Sequence, residues 1–363
     1  MSSHPLFAPL AEWTAINAPV GFEEPVQQRV IQELQNVCDR VEADARGNVY
    51  GYQDGTDENG PTIMIGAHAD EIGFMITCIR EDGFLRFTSL GFPTEMVLPG
   101  QRVTVLTKQG EIPGVIGVPP GHILSSEESR RVPAEGDRYI DIGAESREQA
   151  VSWGVETGTP AVFFGPLTET PHPTRIFGKA IDNRAGILAI LQAAKTTQSQ
   201  KLPNHRVYVV TVEEEIGLRG ALVAAQHVQP DVMIAVDTVP SGGPPDVSPE
   251  QLPWGIGGGP LLKVRESKGL STQRPLRDLM RATAERFDIP YQLIVDTAGI
   301  TDATTAQQAT GQTAAMVLGI ARRYSHAAIE MCDLSDLDHL IQLLVETVTA
   351  IESRDQLQRY DIS

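Results

Sequence analysis

From about residue 166 to the end, short apolar runs alternate with helical stretches, and this alternation narrows the possible architectures more than any other feature of the chain. Residues 184–195 read as a helix, 206–213 (RVYVVTVE) as a strand, 218–227 as a helix and 231–237 (DVMIAVD) as a strand. A helix over 273–287 and strands over 291–295 (YQLIV) and 313–319 (TAAMVLG) continue the pattern. A long last helix starts near Ser335, with Asp338 three residues on as a capping-box candidate and Leu337, Leu340, Ile341, Leu344, Val345 and Val348 on one face. Alternating β and α units bury a sheet between helical layers, so the pattern predicts a three-layer α/β/α domain with a mainly parallel sheet. The N-terminal part fits the same domain. Val26, Val30, Ile31, Leu34 and Val37 recur at helical spacing, and Pro61–Gly66 (PTIMIG) is an apolar run typical of a buried strand.

Between about 73 and 165 the texture changes. Glycine and proline punctuate short strand-like runs such as FMITCI, FLRFTSL and RVTVLT, with turn signals between them and no amphipathic helix before about Ser146. This predicts a small all-β domain (73–165) inserted into an α/β domain made of 1–72 and 166–363.

Charge excludes some partners. The net charge is -18, and such a surface repels nucleic acid and anionic lipid, so neither is expected to bind. No uninterrupted apolar segment reaches the roughly 18 residues of a membrane span. The N-terminal stretch MSSHPLFAPLAEW lacks the basic-then-apolar order of a secretory signal. Cys38, Cys78 and Cys332 form no CxxC pair, and an odd number does not pair within one chain, which suggests a reducing compartment. A cytoplasmic protein is expected.

Five segments put acids or a histidine near predicted strand ends, where α/β folds hold ligands. His68 and Asp70 follow the strand PTIMIG; two residues apart, they share a side of an extended chain, and a carboxylate can then hold one ring nitrogen while the other faces a metal. Alone, such a triplet is usually structural. Asp182, in GKAIDNRAG, stands before an apolar helix and could simply cap it. Glu213, Glu214 and Glu215 end an apolar strand; three like charges there repel unless they are solvated or cations lie among them. Asp237 ends DVMIAVD, and His326 follows the last apolar strand. Taken together, His, Asp, Glu, Asp and His supply nitrogen and oxygen donors without thiolate, a set that suits Zn²⁺, Co²⁺ or Mn²⁺.

The segments AHADEIGF, GKAIDNRAG, EEEIGLRGA, PDVMIAVD and RRYSHAAIE resemble those of the tetrahedral aminopeptidases, the glutamyl and deblocking aminopeptidases whose relatives are often labelled endoglucanases. Order and spacing fit over nearly the whole chain, and the all-β insertion falls where that family carries a dimerisation domain. The resemblance implies two divalent metal ions per subunit. His68 and Asp237 would bind one, Glu215 and His326 the other, and Asp182 both. Glu214 would be the general base acting on a water between them, Asp70 would orient His68, and the peptide bond after Asp182 would be cis. It also implies short peptide substrates and a homo-oligomer, a dodecamer built from dimers. Three places depart from the family pattern. Glu213 replaces a common glutamine, Gly257-Gly258-Gly259-Pro260 a glycine-lysine-glycine-proline stretch, and Ile300-Thr301-Asp302-Ala303-Thr304 a more glycine-rich loop. The last two are expected near the substrate pocket.

Three other readings compete: a dizinc carboxypeptidase or N-deacylase of the same fold, a glycosidase using two of the glutamates, and a non-enzymatic assembly protein that kept the scaffold. The glycosidase leaves His68, His326 and Asp237 unexplained, and the assembly protein should have lost some of the ligand residues.

Overall fold

The computed structural model describes residues 4–127 and 130–360. The first three residues of the N-terminal stretch read above lie outside it. Helices α1 (Phe7–Thr14) and α2 (Glu24–Gln35) open the chain. In α2 the apolar positions Val26, Val30 and Leu34 are all buried, as the helical spacing requires. Strands β1 (Arg40–Ala43), β2 (Val49–Gln53) and β3 (Thr62–His68) then enter the main sheet.

At the end of β3 the chain leaves this sheet and builds a closed barrel. Its strands are β4 (Gly73–Ile79), β5 (Leu85–Leu90), β6 (Arg102–Thr107), β7 (Gly110–Ile116), β8 (Ile140–Asp141) and β9 (Pro160–Phe163), in the order β4-β5-β8-β7-β6-β9. Inward-facing residues fill it; the Phe74 ring stands edge-on to Phe87 and to Phe163 with centroids 5.0 Å apart in both pairs. The short helix α3 (Arg147–Ser152) follows an N-cap at Ser146, whose hydroxyl accepts from the Gln149 N–H.

The return to the main body passes through β10 (Thr168–Glu169) and β11 (Arg175–Gly178) into α4 (Ile181–Thr197). Then come β12 (His205–Thr211), α5 (Arg219–Val228), β13 (Val232–Pro240), β14 (Leu261–Arg265), α6 (Arg274–Arg286), β15 (Gln292–Val295), α7 (Asp302–Thr310), β16 (Ala314–Arg322), β17 (Glu330–Asp333) and α8 (Leu334–Ala350). The main sheet has eight strands in the order β1-β2-β12-β3-β13-β16-β14-β15. Its central four strands are parallel, and antiparallel pairs flank them at β2–β12 and β16–β14, so the parallel expectation holds for the middle of the sheet.

The sheet is covered on both faces, which is why its strands read as unbroken apolar runs. Side chains alternate between the layers: Ile63 and Ile65 of β3, Ile234 and Val236 of β13, and Met316 and Leu318 of β16 join the cluster under α4 and α8. Met64, Met233, Ala235 and Val317 from the same strands pack on the other side with Ala224 of α5 and Ala303 of α7.

Two expectations need correction. The N-cap of α8 is Asp333, whose carboxylate accepts from the Ser335 N–H at 3.1 Å, so the helix starts before the Ser335–Asp338 pair. The strand predicted over 206–213 stops at Thr211, because Glu213 adopts φ 56° and turns the chain.

Candidate active site

All seven candidate residues come together beside the C-terminal ends of the central strands, although not each at a strand end. His68 is the last residue of β3. Asp237 lies within β13, which runs on to Pro240, and Asp182 sits in the irregular first turn of α4, where the bond to Asn183 is cis. Glu214 and Glu215 occupy the turn that follows β12, and His326 lies in the loop after β16 with φ 56°. Four of these six positions are therefore on loops or a helix start, which gives each side chain its own angle of approach.

Asp182 is central. Its Oδ1 lies 3.2 Å from His68 Nε2, and its Oδ2 lies 3.6 Å from His326 Nε2. His68 Nε2 is also 3.7 Å from Asp237 Oδ1, and His326 Nε2 is 3.5 Å from Glu215 Oε2. One carboxylate oxygen thus faces the His68–Asp237 pair and the other faces the His326–Glu215 pair.

The rear ring nitrogens are held by the main chain. His68 Nδ1 lies 3.0 Å from the Asp70 carbonyl oxygen, and His326 Nδ1 lies 2.9 Å from the Phe92 carbonyl, which belongs to a loop of the barrel. The Asp70 carboxylate stands 3.7 Å from His68 Nδ1, and it also accepts from the Glu214 N–H at 3.0 Å and the Glu215 N–H at 2.9 Å. An ionised acceptor holding two consecutive N–H groups fixes the glutamate turn.

Glu213 points away from the cluster and pairs with Arg46 at 2.7 Å, so the triplet divides into one surface charge and two site acids. Further residues went unnoticed in the sequence. Arg322 is buried, donates to Asp182 Oδ2 at 2.8 Å and to Glu330, and reaches Ser325 Oγ at 2.8 Å. Glu330 in turn accepts from the Asp182 N–H at 3.0 Å. Behind Asp70, the Glu71 carboxylate takes both Lys179 (2.7 and 2.9 Å) and the Ala18 N–H (3.0 Å), tying the β3 exit to the segment before α4. No local pattern announces the contacts that Glu330 makes with Asp182 or Glu71 with Lys179 and Ala18, since those partners lie 148, 108 and 53 residues apart.

Electrostatics show what this cluster lacks. Burial raises the Glu215 carboxyl to about 8 and the Asp237 carboxyl above its usual range. Loss of water also lifts Glu214 well above the ordinary carboxylate range, with Asp237 and Glu215 adding to the rise against His68. Burial opposes charge on His68 too, yet Glu214, Asp182 and Asp237 outweigh it and raise its pKa. Asp182 alone is held well below the usual range, because Arg322 and the two histidines overcome its burial. The acids crowd together faster than the chain's own cations compensate them.

Divalent cations fit that deficit. Two groups, His68/Glu214/Asp237 and His68/Asp182/Glu215, each bring three metal-competent atoms within 4.8 Å of one another. The pair separations of 3.2–3.7 Å match the edges of a tetrahedron, roughly 3.3–3.6 Å for nitrogen and oxygen ligands at about 2.0–2.2 Å from zinc. These groups share His68, whereas the arrangement implied by the family resemblance shares Asp182. Asp182 turns one oxygen toward each histidine, and Arg322 also pairs with the Oδ2 that faces His326.

The sequence profile of the M42 glutamyl aminopeptidases matches residues 47–343 of the chain. The chain belongs to the M42 glutamyl aminopeptidase family. This family member is 32% identical over 344 residues to a lysyl aminopeptidase of Pyrococcus furiosus, covering 92% of this chain and 94% of the relative. Its fold superposes on an aminopeptidase from the archaeon Desulfurococcus kamchatkensis with a TM-score of 0.91 and 33% identity, covering 98% of each chain. It also matches a Pyrococcus horikoshii TET1 peptidase, one that can assemble into a tetrahedron or a large octahedral shell, with a TM-score of 0.83 and 31% identity over 94% of this chain and 98% of that one. The M42 enzyme is therefore a peptide hydrolase with the fold of these aminopeptidases, and the glycosidase and assembly-protein readings lose their support.

The cleft in front of the cluster has a volume of about 460 Å³. Ile300 and Thr301 line it, as expected of the 300–304 loop. The 257–260 stretch does not; Gly257 and Gly259 donate to the Asp336 carboxylate at 2.7 Å instead. Among the described residues no helix is long and apolar enough to cross a membrane.

Proposed function

We propose that the chain is a two-metal aminopeptidase that removes N-terminal residues from short peptides. His68 and Asp237 would hold one divalent ion, Glu215 and His326 the other, and Asp182 would hold both. The observation that carries this reading is the Asp182 carboxylate, with one oxygen toward each histidine. Bound there, two such cations (Zn²⁺, Co²⁺ or Mn²⁺) supply the positive charge that acidifies water and polarises a peptide carbonyl.

The protein's own groups do the rest. Glu214 takes the proton of the attacking water and passes it to the leaving amine, a role its raised proton affinity suits. Asp70 is a positioning residue: through the Glu214 and Glu215 N–H groups it fixes where both side chains start. The Phe92 carbonyl holds His326 from the barrel side, so the barrel contributes to the site as well as standing beside it. The free amine of a substrate is attracted by the surplus of acids, which suits an exopeptidase.

Assembly belongs to the same proposal. The barrel region 73–165 is read as the dimerisation unit of a dodecamer. Met96 and Ile123, exposed by 78% and 74%, give it apolar surface of the kind that partners cover.

The test is hydrolysis of amino-acid anilides by chelator-treated protein resupplied with Zn²⁺, Co²⁺ or Mn²⁺. Turnover that returns with metal supports the reading. Cleavage of N-acylated substrates with free-amine anilides untouched would overturn it in favour of a deacylase.

A further inference from the structure

The cleft does not end at the ligand cluster. It continues to an inner end walled by Thr238, Lys263, Asp296 and the 298–301 turn. Thr238, Asp296, Thr301 and Lys263 are buried there at 6%, 6%, 4% and 1% exposure, while Ile300 at 43% stands on the open side. Such a recess suits one side chain of an exopeptidase substrate.

Three charged groups sit there, and they are spent on one another. Lys263 Nζ donates to Glu266 Oε1 at 3.0 Å and to Asp296 Oδ2 at 3.1 Å. The other Asp296 oxygen accepts from the N–H groups of Ala298 and Gly299, both at 2.9 Å. The other Glu266 oxygen accepts from the Thr301 N–H at 3.2 Å and from the Thr304 hydroxyl. Together these bonds fold the 296–301 turn against the cleft, and the turn then presents Ala298, Gly299 and Ile300, facing Ile216 across the opening.

A carboxylate entering this end meets a trio whose formal sum is one negative charge, with Asp237 beside it. An ammonium meets Lys263, and each carboxylate already accepts from three donors. Either charge would lose its water without gaining a free counter-ion. An uncharged side chain loses little. The Thr238 and Thr301 hydroxyls at this end are buried without a hydrogen-bond partner among the described residues, so the polar groups left unpaired here are uncharged ones.

We infer that this inner end is a side-chain pocket for an uncharged N-terminal residue of leucine to glutamine size, and that Lys263, Glu266 and Asp296 set that preference by neutralising each other around the 296–301 turn. The preference departs from the acidic one in the family's description and from the basic one in the name of the Pyrococcus furiosus relative. It rests on the aminopeptidase reading above.

Matched anilides test it on the intact, metal-supplied protein. Glutamine against glutamate and methionine against lysine change charge at nearly constant size. In both pairs the neutral substrate should have the higher kcat/KM, by roughly tenfold or more, the scale of discrimination that a buried mismatch produces. Ile300→Arg places a cation on the accessible part of the wall without touching the buried trio, and should raise the glutamate-to-glutamine ratio roughly tenfold. A wild-type preference for glutamate or lysine overturns the pocket assignment while leaving the aminopeptidase reading intact. Failure to cleave any free-amine anilide with any metal overturns both.

Discussion

Glutamine at position 214 keeps the shape of glutamate but takes no proton, and the structure makes the outcome of Glu214→Gln informative. Glu214 lies within ligand distance of His68 and Asp237, so geometry alone permits it to be either a metal ligand or a base. Burial, with Asp237 and Glu215, already lifts its carboxyl well above the ordinary range, so a neutral amide costs the metal-free fold little. The metal-free variant should fold about as stably as the parent. As a base, Glu214 is worth roughly 10² to 10⁴ in turnover, which is about 2.7–5.4 kcal/mol of barrier at 1.36 kcal/mol per decade. Glu215→Gln should behave differently. Its carboxylate faces His326 at 3.5 Å, and a neutral amide there weakens one ion site. Glu213→Gln is the control; it loses only surface pairs with Arg46 and Arg219, each worth about 0–1 kcal/mol. The assay is turnover of a leucine anilide together with metal content after dialysis against buffered Zn²⁺. If Glu214→Gln loses metal in step with activity while Glu215→Gln retains both ions, the roles of the two glutamates are reversed and the reasoning fails.

Three further outcomes are expected. Elemental analysis of metal-loaded protein should give about two equivalents; Asp182→Ala should lose both ions, His68→Ala and His326→Ala mainly one each, and a value near zero for the parent would rule out the two-metal centre. The metal-free protein should melt at a lower temperature at pH 9 than at pH 6. Burial raises Glu215 from 4.5 to about 8, and the bond to Asp182 with the field of Glu215 carries His326 from 6.5 to about 9 against its burial, so the folded state binds extra protons whose stabilisation is lost as pH rises through that window; saturating Zn²⁺ should remove the trend, and a metal-free melting point that climbs toward pH 9 would contradict the linkage. Light scattering should find an oligomer of the intact protein, and the pair Met96→Asp and Ile123→Asp should reduce its size without unfolding the main sheet; a fully active parent monomer would refute the assembly proposal.

The alternation of apolar strands and helices was legible because burial on both sheet faces imposes it locally: each β3, β13 and β16 residue must suit one helical layer or the other. The barrel was legible for the opposite reason, since turns every few residues leave no length for helices. Several elements escaped, α7 and β14 among them. Helix α7 buries polar Asp302 and Thr304 beside small Ala303 and Ala306, so its apolar period is faint. Strand β14 interrupts its apolar pattern with Lys263, and the reason is tertiary: that ammonium is buried against Glu266 and Asp296.

The same distinction governs the site. Acids and histidines near strand ends can be named from the chain, because the topology decides that those ends converge. What each one does depends on contacts across long sequence distances. Asp70 and His68 are neighbours, yet the Asp70 carboxylate serves Glu214 and Glu215 in the turn after β12, and the His68 ring leans on the Asp70 carbonyl. Glu213, Glu214 and Glu215 are identical in type and adjacent, yet the positive φ of Glu213 sends it to Arg46 while the other two enter the cleft. Arg322 has no local signal of its own; its pairing with Asp182 and Glu330 exists only once β16, β17 and α4 are assembled. Local sequence therefore names the acids that need compensation, and the fold decides which are compensated by the chain itself and which are left to bound cations.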